Sequence, residues 1–361
     1  MKKLVIEKEK IVRNIQKLKS ITNSTIIATL KNNGYGLGLD EFPKLLAECG
    51  IDYFAVATLK EAITLRENGI TNKIMMLHST AIREELLALI EYNILPAVGS
   101  FSALNAIYEI AKANNIMLEI QLKIDTGFGR FGFLPEEIPL LTQRLKEMNN
   151  LRVAGTFSHF SMAFNQSSDY TAKQFTIFNK CTAAIEDAGI EPGVRHICNS
   201  SAFLLYPHMH LDAVRIGSAL IGRILTENTL NLEKVDYLTE HIEDIKTLPK
   251  DHYIGYSNTY KTTRETKIGI VPLGYLDGFG LEKTQDCFGI LDTLREIYNK
   301  LKNYKKQFFL SVGEKKVPVL GKIGTNNIII DLTDTTAEIG QEVRIEVNPM
   351  LVNPTISRVF I

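Results

Sequence analysis

Short apolar runs recur along the first two-thirds of the chain, and segments of a different period separate them. The runs STIIATL (24–30), DYFAVA (52–57), KIMML (73–77), NILPAV (93–98), MLEIQLKI (117–124), RVAGTFS (152–158), VRHI (194–197) and DAVR (212–215) have the composition of buried strands. Between them, stretches such as LKEAITLREN (59–68) and QFTIFNKCTAAIEDAG (174–189) repeat their apolar residues every three to four positions, which predicts helices. Alternating strand and helix implies right-handed βαβ units and a parallel sheet. Eight such strands predict an α/β fold, an N-terminal (β/α)8 barrel of the TIM type over residues 9–235. A doubly wound open sheet is the competing architecture.

The pattern changes after residue 236. LTEHIEDIKTL, TKIGIVPLG, KKVPVLGKI, NNIIIDLT and QEVRIEV are short strands parted by Gly, Asp and Thr turns. They predict a mainly antiparallel β domain over 236–361, which a strand within residues 1–8 is placed to join. Helical spacing in DTLREIYNKLKNYKK (292–306) marks an insertion near 285–306.

Charge narrows the function. Lys plus Arg and Asp plus Glu both number 41, so no net field draws the chain to nucleic acid or an anionic membrane. No apolar run approaches the ~18 residues of a membrane span. MKKLVIEKEK is too charged, with too short an apolar core, for a signal peptide. Cys49, Cys181, Cys198 and Cys287 fit neither a disulfide framework nor a zinc spacing, and the expected setting is a reducing cytoplasm.

Candidate chemistry begins at Lys31. It ends the first predicted strand, where barrels place catalytic groups, and the turn NNGYG follows at once. A snorkelling surface lysine is the ordinary explanation of such a residue. A desolvated lysine of lowered pKa, however, is the amine that forms Schiff bases, and pyridoxal phosphate is the obvious aldehyde. A phosphate needs a cradle, and barrels often place it after strands seven and eight. RIGSALIGR (215–223) offers Gly217 and Ser218 where a short helix is expected to begin; CNSSAF (198–203) offers Asn199 and Ser200, for which a helix cap is the commoner use. GFGRFG (127–132) matches a dinucleotide fingerprint, but Phe133, Leu134 and Pro135 follow it and not a helix. HMH (208–210) shows no third metal ligand at sensible spacing and reads as a solvated loop.

Taken together and in order, LKNNGYGLG, LKIDTGFGRFGF, NSSAF, AVRIGSAL, IGYSNTY and VPLGYLDGF resemble the alanine racemase family. The resemblance implies a pyridoxal-phosphate enzyme in which Lys31 holds the cofactor and is one of two bases. It implies that Tyr35, Asn199, Ser200, Gly217 and Ser218 bind the cofactor, and that Arg215 faces its pyridine nitrogen. Arg130 would anchor the substrate carboxylate, with Thr325 and Tyr275 on the substrate side. Tyr256 of IGYSNTY would be the second base, assisted by His159, and Lys123 matches a lysine that is carbamylated in many members. Because the family's second base reaches the partner's site, a head-to-tail homodimer with composite active sites is implied.

Racemisation takes a proton from one face of a planar carbon and returns one to the other, which two bases on opposite faces accomplish. An ordinary tyrosine has a pKa of about 10, so Tyr256 needs positive charge nearby to act near neutrality. GKIGTNN (321–327) departs from the family pattern, with Thr325 and Asn326 where Met and Asp are usual, and the C-terminal end lacks an expected tyrosine. A racemase for serine, or for a larger or basic amino acid, therefore stands beside the alanine reading. Two other classes compete. Barrel-type decarboxylases share the two-domain plan, but their glycine-rich phosphate loop and C-terminal cysteine segment are not visible, and Cys287 sits in the insertion. Non-catalytic carriers of pyridoxal phosphate lack a β domain of this kind.

Overall fold

The computed structural model describes residues 2–166, 169–281, 289–302 and 307–361. It divides into two compact units, Lys8–Val235 and Met1–Glu7 with Asp236–Ile361. Strand β1 (Lys3–Ile6) belongs to the second unit. In the first, β2 (Thr25–Thr29), β3 (Tyr53–Val56), β4 (Lys73–Ser79), β5 (Leu95–Val98), β6 (Leu118–Lys123), β7 (Leu151–Phe157), β8 (Val194–His196) and β9 (Ala213–Ile216) close a parallel barrel. Closure is by β9 pairing onto β2, from Thr25 opposite Ala213 to Ala28 opposite Ile216. The eight apolar runs are thus the eight barrel strands, and the sheet is closed.

The barrel fills as such barrels must, by mixing sizes. Ala55, Ala97 and Ala213 make room for Ile27, Met75, Tyr53 and Phe157 in one buried cluster. The interior also takes in polar side chains: Gln121, Lys123, His196 and Arg215 are all buried. Outside it, the helix Leu59–Glu67 starts with a reciprocal cap between Thr58 and Glu61, and the helix Phe101–Ala113 with Ser100.

A buried amide ties the first helix to the segment after β9. Asn14, in the helix Lys8–Lys19, donates from Nδ2 to the carbonyls of Leu220 (3.1 Å) and Glu233 (2.8 Å). Its Oδ1 accepts the Glu233 N–H at 2.8 Å. The segment between is not the short helix expected from GSALIG. Residues 217–222 form consecutive turns, closed by Leu220 N–H to Gly217 and Gly222 N–H to Ala219. Gly222 stands at φ +67°, where a Cβ would strike the Glu233 carbonyl, so the chain turns away there. HMH is a second correction. It is no solvated loop: His210 is buried, with Nδ1 on Thr22 Oγ1 and Nε2 on the Phe203 carbonyl, and Met209 packs inside.

The second unit adds β10 (Asp236–His241), β11 (Asp244–Leu248), β12 (Tyr253–Ile254), β13 (Tyr260–Lys261), β14 (Thr266–Val271), β15 (Phe309–Val312), β16 (Lys315–Leu320), β17 (Ile328–Asp331), β18 (Glu342–Ile345) and β19 (Ser357–Phe360). Nine strands make one sheet in the order β11-β14-β17-β16-β15-β18-β10-β1-β19, while β12 and β13 form a separate hairpin. Only the β1–β19 pair of that sheet is parallel. Leu248, Ile254, Ile268 and Leu320 make a core against which the hairpin is set. A helix spans Ile290–Lys302; residues 303–306 of the expected insertion, and Cys287, lie outside the described residues.

The Asn14 clamp gives a stability prediction. Replacing Asn14 by Leu leaves the Glu233 N–H and two carbonyls buried without partners, so urea denaturation is expected to show a loss of about 3 kcal/mol. An unchanged midpoint would mean that water replaces the amide.

Candidate active site

Lys31 stands two residues beyond β2, at the C-terminal mouth of the barrel. Leu30 N–H still bonds the Ala55 carbonyl at the end of β3 (2.8 Å); the backbone then reverses hand. Asn32, Asn33, Gly34 and Tyr35 all lie at positive φ, 56°, 55°, 61° and 55°. This conformation costs an ordinary residue about 1–2 kcal/mol, and Gly and Asn are the types that visit it readily. Tyr35 is the member of the turn without that tolerance. Gly34 N–H to Leu30 (2.9 Å) and Gly36 N–H to Asn32 (3.0 Å) close the turn, and Glu61 receives the Asn33 N–H at 3.4 Å. The residues NNG therefore let a lysine be followed by an immediate reversal that carries the Tyr35 ring back over the barrel mouth.

There Tyr35 covers Gly217, where any Cβ would collide with its ring. Ser200 joins the two loops after β8 and β9: its Oγ accepts the N–H of Gly217 (3.2 Å) and of Ala219 (3.4 Å). Asn199 caps the short helix Ser200–Leu205 through the Ala202 N–H, so its side-chain oxygen has the common structural use. Lys31, Tyr35, His159, Asn199, Ser200, Arg215, Gly217 and Ser218 all line one cavity of about 290 Å³. Burial, with Arg130 and Arg215 nearby, lowers the Lys31 pKa, and Glu61 opposes the shift. Burial alone pushes the Tyr35 phenol up to about 12, so it remains a donor.

Arg215 is buried, and its named acceptors are neutral. Nη1 reaches His196 Nδ1 (2.6 Å) and the His196 carbonyl (3.1 Å). Nη2 reaches the carbonyls of Ser158 (2.5 Å) and Ile197 (3.2 Å) and His159 Nδ1 (3.2 Å). Guanidinium only donates, so both imidazoles accept at Nδ1 and carry their proton on Nε2. Burial first, then Arg215, keeps both histidines neutral, far below the usual imidazole value.

Lys123, Arg130 and His159 line a small adjoining cavity. Lys123 donates to the Leu77 carbonyl at 2.8 Å and lies against the rings of Phe131 and Phe157. Burial, then Arg215 and Arg130, push its amine down to about 7. GFGRFG folds around Asp125, whose carboxylate accepts the N–H groups of Gly127, Phe128, Gly129 and Arg130 at 2.8–3.2 Å. Its glycines serve this loop, and the Arg130 guanidinium rests on the Phe128 ring at 4.4 Å.

Tyr256, Tyr275 and Thr325 belong to the β unit. Thr325 Oγ1 donates to the Tyr275 hydroxyl at 3.0 Å, and Tyr275 N–H bonds the Gly324 carbonyl. Tyr256 follows Gly255 (φ +73°) at the tip of the β12–β13 hairpin and is 75% exposed. Lys322 reaches Ser257 at 3.4 Å, so this tip and the GKIGTNN loop are neighbours. His196 is the site residue that sequence reasoning missed; one His in the run VRHI looks like ordinary strand alternation. A wider cleft of about 720 Å³ opens at the opposite end of the barrel. Glu119 pairs there with Arg152, and Asp212 with Arg195, so its charges are largely spent on each other.

The closed barrel thus holds a desolvated lysine at its C-terminal mouth, in one cavity with Ser200, Gly217 and Ser218 from the loops after its last two strands. Residues 6–224 match the family profile "Alanine racemase, N-terminal domain", and residues 235–351 match "Alanine racemase, C-terminal domain". The chain belongs to the alanine racemase family, which is pyridoxal-phosphate dependent. An alanine racemase of Clostridium tetani is 33% identical over 346 residues, 94% of this chain and 84% of its own length. One of Methanococcus maripaludis is 35% identical over 281 residues, 76% and 75% of the two chains. Solved alanine racemases of Clostridium difficile and Streptomyces lavendulae superpose with TM-scores of 0.87 and 0.85 at 26% and 27% identity; both cover 100% of this chain, and 95% and 97% of their own.

Asp125 supplies the test of the loop. Burial disfavours its charge, but the four backbone donors outweigh that, so its pKa lies below the usual carboxylate value. The stabilisation is full above about pH 4 and disappears as pH falls through the native pKa. Asp125→Asn is expected to cost at least ~1.5 kcal/mol at neutral pH and to converge with wild type in acid, read from urea midpoints across pH. A gap constant down to acid would contradict the assignment.

Proposed function

We propose that this chain interconverts L- and D-alanine as a pyridoxal-phosphate-dependent homodimer in a reducing cytoplasm, with Lys31 and Tyr256 of the partner subunit as the two bases. One observation carries the reading: the Lys31 amine, lowered in pKa, shares its cavity with the Ser200–Gly217–Ser218 cradle. The residues present fit the cofactor. Tyr35, Ser200 and Ser218 offer donors to a phosphate, Gly217 leaves room beside them, Asn199 borders it, and Arg215 offers a donor that keeps its proton near neutrality. Bound pyridoxal phosphate supplies the electron sink that makes the substrate α-proton acidic.

Lys31 moves that proton on one face, and the partner subunit's Tyr256 moves it on the other. His159, neutral and held by Arg215 at Nδ1, keeps its proton on Nε2, and that N–H assists the tyrosine. Arg130 takes the substrate carboxylate; Thr325 and Tyr275 border the substrate. Exposure of Tyr256 on a hairpin tip favours delivery to a second copy. The described cysteines, Cys49, Cys181 and Cys198, are free thiols, which suits a reducing compartment. Alanine is preferred to serine or a larger amino acid because the relatives and solved structures above bear that name. Decarboxylation and cofactor carriage have no support among them.

The test is α-proton exchange in D₂O, followed by NMR over a panel of L- and D-amino acids with pyridoxal phosphate. Exchange with loss of chirality is expected for alanine; none for any amino acid would remove the racemase. Tyr256→Phe is expected to lose about 10²- to 10⁴-fold in rate while keeping the cofactor absorbance, and Lys31→Ala to lose that absorbance. Full activity in Tyr256→Phe would end the two-base assignment.

Lys123 is proposed to carry a carbamate, because an amine near pKa 7 is largely unprotonated at pH 8 and open to carbon dioxide. With ¹³C-bicarbonate a protein carbamate resonance is expected in wild type and not in Lys123→Ala. No resonance in wild type refutes the modification.

A further inference from the structure

Barrel interiors of this kind are ordinarily layers of branched apolar side chains. Here a line of polar groups runs inward from Arg215: His196, Gln121 and Tyr53, all buried, Gln121 and His196 completely so. His196 Nε2 lies 3.3 Å from Gln121 Oε1, and Gln121 Nε2 donates to the Tyr53 hydroxyl at 3.2 Å. We infer that Gln121 is a positioning residue, a neutral acceptor that commits His196 to the Nε2–H tautomer and so aims its Nδ1 lone pair at Arg215.

The chain of donors leaves one arrangement. Arg215 can only donate, so His196 Nδ1 must accept. The imidazole proton is then on Nε2 and needs an acceptor, which is the Gln121 oxygen. That turns the Gln121 amino group towards Tyr53. The imidazole cannot tilt away, because Phe157 stacks on it at 5.1 Å with planes 3° apart.

Two backbone features make room for this amide. The β6–β7 register shifts between Ile120 and Gln121. Opposite, residue 155 is glycine, and a Cβ there would lie 2.5 Å from Gln121 Oε1 and 2.9 Å from Nε2. An apolar residue at 121 leaves the Nε2–H unpaired in the core. A glutamate favours the imidazolium, whose Nδ1–H would then oppose the Arg215 Nη1–H across 2.6 Å. Around His196 stand Arg215 from β9, Gln121 from β6, Tyr53 from β3 and the charge of Lys73 from β4, two cations that favour its neutral form.

The tautomer stands on geometry alone; its consequence for catalysis rests on the proposed role of Arg215 at the cofactor. Full-length protein loaded with pyridoxal phosphate and ¹⁵N-labelled at histidine is read by long-range ¹H–¹⁵N NMR, with His196→Gln assigning the signal. Wild type is expected to show His196 as a neutral Nε2–H imidazole that does not titrate between about pH 6 and 9. The Nδ1–H tautomer, or an imidazolium, in wild type overturns the inference without any variant.

In Gln121→Glu, His196 is expected to titrate, with kcat for alanine down about 10- to 100-fold while it is protonated and KM within about twofold. Rate and cofactor absorbance then recover together as pH rises and the proton leaves. Gly155→Ala, which displaces the amide from the other side, is expected to lower kcat and to alter the His196 signal. Gln121→Glu with a protonated His196 and wild-type kcat overturns the positioning role. The expected tautomer in a wild type that exchanges no amino acid would refute the racemase reading and leave the tautomer in place.

Discussion

Everything at the barrel mouth depends on one buried guanidinium. Taking a charge out of water costs far more than any single contact returns, so Arg215 has to be met on all sides. It is met by the carbonyls of Ser158, His196 and Ile197 and by the imidazoles of His159 and His196, all neutral. The ends of β7 and β8 are pinned by this demand, since they supply the carbonyls. Burial moves Arg215 itself down to about 10, which leaves it a cation near neutrality. Its charge then acts on Lys31, Lys123 and His159, each of which burial has already pushed towards the neutral form. One ion therefore helps set the protonation of three groups at the barrel mouth.

The carboxylates near these cations are tied up by backbone. Asp125 is enclosed by four N–H groups of its own loop, and Glu61 is shared between the helix cap and the turn after Lys31. Neither is placed as a close ion-pair partner for Arg130 or Arg215. A mouth built this way favours ligands that bring their own negative charge, such as a phosphate and an amino-acid carboxylate. The left-handed turn Asn32–Tyr35 belongs to the same plan. It spends conformational strain at Tyr35 to bring a phenol above Gly217, beside Ser200.

Much of this was legible in the residues themselves. The strands are visible because apolar runs and helical spacing alternate, and each run had to be buried on both faces. Lys31 is conspicuous because a charged residue ends such a run and is followed by Asn-Asn-Gly, the types that permit an abrupt reversal. The serine and glycines after the last two strands were visible for their position in a barrel. Other parts were hidden by locality. The GSALIG segment has helical composition, but Asn14 and the carbonyl of Glu233, brought near by folding, hold it in turns. HMH looks polar, yet Phe203 and Thr22 bury its second histidine.

By itself, then, the sequence determined the alternation of strand and helix, the β-rich remainder, the lysine that ends the first barrel strand and the Ser- and Gly-bearing loops after the last two, because each follows from neighbours within a few positions. Only the tertiary structure decided which polar strand residues face inward and whom they meet. Gln121, His196 and Arg215 come from three different strands, and Tyr53 from a fourth. Their hydrogen bonds, tautomers and pKa shifts exist only once the barrel closes, since desolvation and charge act through space and not along the chain.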